Sequence, residues 1–528
     1  MKLKDGRATL VLLLCCVALF SVNAYFAWHV QYIGFTDSAQ YGELGKSVAE
    51  GHWFTINTVK FFFNKWPSSI THPDDIYDPL QPLLLGLLFK LFGTSVFVAN
   101  IPSMVFAFIV TPLLAFFLAK RFVPTKYAFI VGFMTLLNPL HQALYCWADP
   151  MFASLTLAGI LCFSKAQDNP KWYVWAAIVF GLAALARRTG YLYGAFFVIA
   201  AVYHWRKGSK IKAAYATMGI PVFMLTISPW LIRNYLVFGN PLQNVYTYAR
   251  FLIGYFTPSG YNLFTSRVFW DETINFHWLL QQVGWSGVWH KALTQTATAL
   301  LYFWPLHLAG LLCWKKLRFE FKTALVIYFV SLIVVANYGI YVPRYSTPFI
   351  PLFFLIGMIL WLQWMKTPKP WLKTALRIAL ACAIAFLVMI TIGRFFMSVN
   401  YKNFSISFEG PGYPRVDDPR FLPRLDVAKW VDQNLPQDAV IMTSSPHDLN
   451  FYTGRKALKI PIDTPDRIKE VLCYYRVTYV EYYDEPTVTN TILPQSMASI
   501  LKDPAFHVVY NDKSTIYAVD KSYCAGSP

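Results

Sequence analysis

Asp37 stands in Gly34-Phe35-Thr36-Asp37-Ser38-Ala39-Gln40-Tyr41, directly after an apolar run that begins at Ala8. A carboxylate kept where a hydrophobic segment meets water is costly near lipid, so it is retained for chemistry or ion handling. Asp149 is a second acid in such a place, in Tyr145-Cys146-Trp147-Ala148-Asp149-Pro150. Between them lies a loop carrying His72-Pro73-Asp74-Asp75 and Tyr77-Asp78-Pro79-Leu80-Gln81-Pro82. A carboxylate can accept a proton from an attacking hydroxyl. Arginines and lysines hold phosphate through charge-assisted hydrogen bonds, and Lys60, Lys65, Arg187, Arg188, Arg233 and Arg344 fall on the same side as Asp37. Each residue also has a plainer use. Asp37 caps the helix expected at 38–49, Asp149-Pro150 opens a helix, and the arginines anchor to lipid headgroups.

The elements that must position these residues are mostly membrane helices. The chain has 528 residues, 56% hydrophobic and only 14% charged, against roughly 25% charged in soluble domains. Apolar stretches at 8–30, 95–119, 127–144, 149–164, 173–187, 190–204, 213–231, 293–313, 323–341, 347–364 and 374–397 predict about eleven transmembrane helices. A retained first helix is expected, although Val22-Asn23-Ala24 has the form of a signal-peptidase site. The net charge of +18 is spread through short loops rather than gathered into a patch, which excludes nucleic acid as a partner. One set of loops holds 19 Lys and Arg, whereas the short loops of the other set hold 3. Positive residues stay inside, so the amino terminus is expected in the cytoplasm, with loops 31–94 and 230–292 and the tail outside.

The pieces on that outer face differ in character. Residues 79–92 are too short to span and read as an interfacial amphipathic helix. The tail predicts a small extracytoplasmic α/β domain over 398–528. It has helices at 426–434 and 464–475 and strands at 439–443, 477–482, 507–510 and 514–519. The division is thus 1–397, a transmembrane catalytic domain, and 398–528. No Gly-rich phosphate loop, CxxC pair or internal repeat is present. Of eight cysteines, Cys473 and Cys524 lie in the polar tail, where a disulfide can form outside the cytoplasm.

Several blocks resemble a known family. Asp37-Ser38-Ala39-Gln40-Tyr41-Gly42-Glu43-Leu44, then Gly51, Tyr77-Asp78-Pro79-Leu80 and Leu91-Phe92-Gly93, follow in order. Pro229-Trp230-Leu231-Ile232-Arg233-Asn234 with Gly239-Asn240-Pro241, and Arg344-Tyr345-Ser346-Thr347-Pro348, complete the set, from the first span to about residue 365. Together they resemble GT-C-fold glycosyltransferases, the group of lipid A aminoarabinose transferases and protein O-mannosyltransferases. The resemblance implies a sugar taken from a polyprenyl-phosphate donor with inversion, passed to a lipid, glycan or protein acceptor beside membrane lipids. Asp37 would then be the catalytic base and Asp149 the second acid. Arg233, Arg344, Tyr345, His72, Tyr77 and Asp78 are candidates for binding substrate. A divalent cation is allowed, and no cofactor is required.

The chain also departs from the pattern. Ser38 stands where O-mannosyltransferases carry Glu, and Asp78-Pro79 stands where aminoarabinose transferases carry a donor-binding Lys-Pro. The Trp-Trp-Asp-Tyr-Gly block of oligosaccharyltransferases is missing. Two other classes fit less well: a transporter or flippase for a lipid-linked saccharide, and a non-catalytic envelope-assembly subunit. A transporter needs charges along a path within the spans, whereas these cluster at one mouth.

Overall fold

The computed structural model describes residues 5–34, 37–60, 67–138, 146–247, 276–302, 310–311, 314–337, 343–366, 369–400, 422–482, 492–512 and 514–525. Lys65 lies outside them, as do the side chains of Arg344 and Tyr345. The chain opens with α1 (Asp5–His29) and, after Gly34 with φ of 107°, enters α2 (Asp37–Ala49). Three two-residue strands follow, β1 (Thr55–Ile56), β2 (Thr58–Val59) and β3 (His72–Pro73), then α3 (Leu80–Phe92) on the predicted interfacial segment.

The helical body continues with α4 (Val96–Val105), α5 (Thr111–Ala119), α6 (Thr125–Leu136), α7 (Asp149–Lys165) and α8 (Trp172–Ala186). It is completed by α9 (Gly194–Arg206), α10 (Lys210–Phe238), α11 (Phe276–Tyr302), α12 (Phe319–Asn337), α13 (Ile350–Trp364) and α14 (Pro370–Asn400). A helix lies on every expected apolar stretch. By length and composition, five are long and apolar enough to cross a bilayer: Gly6–His29, Val96–Ala119, Lys210–Phe238, Ser346–Trp364 and Pro370–Gly393. Between α4 and α5 the turn widens into a π-helix at Phe106–Val110. Pro112 lacks the N–H that would continue the ladder. The Thr111 hydroxyl donates to the Phe106 carbonyl at 2.8 Å and sits 2.7 Å from Ser154 on α7.

Aromatic side chains fill the helical core. Phe180 stacks on Phe196 at 4.5 Å between centroids, and Phe163 meets the same ring edge-on at 5.1 Å. Two buried tyrosine hydroxyls there are paired, as most polar groups in an apolar interior are. Tyr193 meets Thr156 at 2.9 Å, and Tyr173 meets His204 Nε2 at 2.8 Å. On the side of the basic loops, Arg121 bonds Asp168 at 2.5 Å and Arg318 reaches Glu320 at 3.0 Å.

The tail forms an α/β unit. Its elements are α15 (Leu422–Asn434), β4 (Val440–Thr443), α16 (Pro446–Thr453), β5 (Lys456–Lys459), α17 (Pro465–Tyr474), β6 (Tyr479–Tyr482), α18 (Ile492–Ile500), β7 (Phe506–Asn511) and β8 (Thr515–Val519). Alternation of side chains across the strands divides the core: Ile441 and Ala457 face one apolar cluster, Met442 and Leu458 the other. Cys473 on α17 is disulfide-bonded to Cys524.

The sheet order is β2-β5-β4-β6-β8-β7, and β2 comes from the segment between α2 and α3. It pairs parallel with β5 in the register Thr58↔Ala457 and Val59↔Leu458. The boundary drawn at 397 therefore separates segments that share one sheet.

α2 and α3 pack through glycines. A Cβ on Gly45 would lie 2.6 Å from Leu85 Cβ and 3.1 Å from the Phe89 ring. Both neighbours are held on a packed helix and cannot swing aside. Gly45→Ala should therefore cost about 1–3 kcal/mol, the usual penalty of overpacking, read as a lower thermal midpoint of the purified protein.

Candidate active site

Asp37 is the first residue of α2 and is half-buried, with its carboxylate near the positive end of the helix dipole. The Tyr77 hydroxyl donates to Asp37 Oδ1 at 2.8 Å. Burial first, then the Asp37 charge, pushes the Tyr77 phenol well above its ordinary value, so it stays a donor. Tyr41, one turn along α2, stacks edge-on against Tyr77 at 4.6 Å. Its phenol is raised by burial and feels the charges of Arg187, Asp78, Asp37 and Arg188.

The loop that delivers Tyr77 is braced by buried acids. Asp74 accepts Gln40 Nε2 at 2.9 Å and the backbone N–H groups of Tyr77 and Ile76 at 2.8 and 3.2 Å. Asp75 accepts the Thr247 hydroxyl at 2.7 Å. Asp78 accepts the Arg188 backbone N–H at 2.8 Å and the Asn244 amide. Arg188 also donates to the Ile76 carbonyl at 2.6 Å. Burial raises the Asp78 carboxyl, opposed by Arg188.

Arg233 serves this same loop. Its guanidinium donates to the carbonyls of Asp74 at 3.0 Å and Phe54 at 3.3 Å, and lies over Trp230 at 4.8 Å. His72 on β3 contacts the Ile70 carbonyl through Nδ1 at 2.8 Å.

Asp149 opens α7 and is ion-paired with Arg187. Both line a cavity of about 420 Å³, its open mouth included, with Phe152, Thr189, Tyr193, Tyr328, Ser331 and Phe349. The structure brings Asp37, Tyr77, Asp78 and Asp149 into one region through Tyr41 and the Arg187-Arg188 pair. Arg233 stands behind the loop, and His72 contacts its backbone. Among the described residues, no group of three His, Cys, Asp or Glu side chains could hold a metal ion.

Sequence reasoning missed Glu43 and His447. Glu43 Oε2 meets His447 Nδ1 at 2.7 Å, with both side chains almost wholly buried. Glu43 was visible only as part of the Asp37 block, and His447 as one tail residue in a turn-like Ser-Pro-His-Asp.

The comparisons with known proteins agree with this architecture. The family described as dolichyl-phosphate-mannose-protein mannosyltransferase matches residues 71–232. Among solved structures, ArnT from Cupriavidus metallidurans bound to undecaprenyl phosphate is similar, at 15% identity and a TM-score of 0.55. That likeness covers 96% of this chain and 98% of the other. The archaeal oligosaccharyltransferase AglB from Archaeoglobus fulgidus, in complex with an inhibitory peptide and a dolichol-phosphate, is similar at 11% identity and a TM-score of 0.51. Here 96% of this chain and 74% of that one are covered. No curated protein matches. The chain has the GT-C fold.

Asp74 gives the site a measurable pH dependence. Burial, helped by Asp75, raises its carboxyl to about 7, against roughly 3.9 in an unfolded chain. The folded state therefore holds a proton that the unfolded state releases. This contribution to stability is complete below the unfolded value and is lost as pH rises towards 7. Asp74→Asn keeps an acceptor for the two backbone N–H groups, and its amide can serve the otherwise unpartnered Gln40 Oε1. Its thermal midpoint should fall less than the wild-type midpoint between pH 5 and pH 8.

Proposed function

We propose that this GT-C-fold membrane protein is a glycosyltransferase that takes a hexose or pentose from a polyprenyl-phosphate donor and passes it, with inversion, to a lipid, glycan or protein acceptor on the extracytoplasmic face. The observation that carries the reading is the half-buried Asp37 carboxylate, one oxygen fixed by the Tyr77 hydroxyl, while the next residue, Asp78, is bonded to Arg188, whose neighbour Arg187 pairs with Asp149 on the cavity wall. Support for the donor class comes from the fold and from the family match over 71–232.

In this reading Asp37 accepts the proton of the acceptor hydroxyl as that oxygen bonds to the anomeric carbon. The bond from that carbon to the phosphate oxygen breaks on the opposite face, and its electron pair leaves with the polyprenyl phosphate. Arg187, on the cavity wall, is the cation we assign to the leaving phosphate, where developing charge needs a fixed positive partner. Asp149 holds that guanidinium in place. Arg233 braces the loop that carries Tyr77 and Asp78, and Arg344 with Tyr345 remains a donor contact proposed from sequence. His72 and Asp78 shape the loop around the sugar.

The orientation is part of the proposal. The charge bias of the loops and the Cys473–Cys524 disulfide, a bond that persists in oxidising compartments, both support a tail on the outer face. Alkaline phosphatase fused after the tail should be active, and a cytoplasmic fluorescent reporter fused there should be dark. The reverse pattern would reject the site's placement on the outer face.

Asp37→Asn keeps the size of the side chain and an acceptor for Tyr77 but removes the base. Turnover should fall roughly 10² to 10⁴-fold, the usual cost of losing general-base catalysis. The assay is consumption, by purified protein, of the lipid-linked sugar that accumulates in membranes of a strain lacking this chain. Retention of more than about a tenth of the wild-type rate would remove Asp37 from this role.

A further inference from the structure

The tail helix α16 touches the chain on both sides of Asp37. Before it, the Tyr452 hydroxyl accepts the Ile33 N–H at 2.8 Å and donates to the Gln31 carbonyl at 2.9 Å. Tyr32 donates to the buried Asp448, which Arg424 meets from α15 at 3.3 Å. After it, Glu43 is gripped from two elements. His447 Nδ1 lies 2.7 Å from Glu43 Oε2, and the Thr58 hydroxyl of β2 donates to the same oxygen at 2.9 Å. The Asn57 N–H donates to Glu43 Oε1 at 2.7 Å. Between these grips the Phe451 ring packs onto Gly42, where a Cβ would lie 2.9 Å from the ring.

The cluster is set up to hold one arrangement. Glu43 and His447 are each no more than 3% exposed, and a buried charge-assisted bond of this kind is lost only at high cost. Burial lowers the His447 imidazole towards its neutral form; in the tautomer with a hydrogen on Nδ1, which also lies 2.8 Å from the Thr58 hydroxyl, the ring donates to Glu43. α16 is itself anchored. Arg455, just after it, is buried and donates to Asp432 Oδ1 at 2.9 Å and to the Leu435 carbonyl at 2.6 Å, at the end of α15.

We propose that the C-terminal domain is a positioning element of the active site, and that His447 with Glu43 and Thr58 fixes α2 so that Asp37 stands in register with Tyr77. His447 acts through Glu43 and touches no substrate. This inference rests on Asp37 being the base in the proposed transfer, yet it has a readout of its own.

The test uses the full chain in lipid nanodiscs, with His447→Ala, His447→Asn and Thr58→Val. The amide nitrogen of Asn takes the place of Nδ1, so His447→Asn restores the donor to Glu43 while His447→Ala does not. Hydrogen exchange over residues 38–49 should speed up at least tenfold in His447→Ala and less in Thr58→Val. It should return towards wild type in His447→Asn. The rate of donor consumption should fall at least tenfold in His447→Ala and recover in His447→Asn. Binding of undecaprenyl phosphate, the probe for the donor site, should stay within twofold throughout.

Unchanged exchange in both His447→Ala and Thr58→Val would overturn the proposal. So would a loss of protection spread through the membrane helices together with lost undecaprenyl phosphate binding, which marks general destabilisation. If His447→Ala does not fold, Thr58→Val and His447→Asn decide the matter by the same signs. A wild-type chain that consumes no lipid-linked sugar would instead sink the transferase reading, leaving the exchange result to judge the clamp.

Discussion

Asp78 is 2% exposed, and its two oxygens join three separate parts of the chain: its own loop, the turn after α8 through Arg188, and the segment after α10 through Asn244. A buried carboxylate must be matched by donors or it shifts to its neutral form. That requirement fixes where the segment between α2 and α3 lies on the helical body. Asp74 repeats the device with Gln40 and two backbone groups, while Arg233 takes up the outward carbonyls. Tyr77 sits between these two acids and is delivered to Asp37 by them. The reactive geometry is thus a by-product of pairing buried charge.

The same pairing accounts for the main departure from the family pattern. Where aminoarabinose transferases carry a lysine, this chain has Asp78. The structure shows that Asp78 draws Arg188 into the region, next to Arg187 on the cavity wall. An acid at this position therefore brings in cations from the end of α8 instead of supplying one itself.

What could be read in the sequence follows the range of the interactions. The apolar helices, the short helix at 80–92 and the tail strands 440–443, 479–482, 506–511 and 515–519 are local patterns, and they were legible. Asp37 stood out in the sequence because a carboxylate at the end of an apolar run is costly to keep near lipid. β2 was not. Two residues carry no periodicity, and their partners stand far down the chain. β5 was hidden because Lys456 and Lys459 flank only two apolar residues, and α16 because it begins with Pro446 after two serines. The role of Arg233 also depended on position. Its place in a family-like block pointed to phosphate, and the structure adds bonds from its two terminal nitrogens to the carbonyls of Asp74 and Phe54.

The parallel pairing of β2 with β5 has a consequence for biosynthesis. Thr58 emerges about 400 residues before Ala457, its partner in the sheet. At roughly 5–20 residues per second, the loop beside Asp37 waits on the order of 20–80 s with an open edge and an unmet Glu43. During that interval the nascent chain already carries the acid that would do the chemistry, without the element that holds it. Until its last quarter arrives, such a chain holds the first half of the sheet pairing without the second.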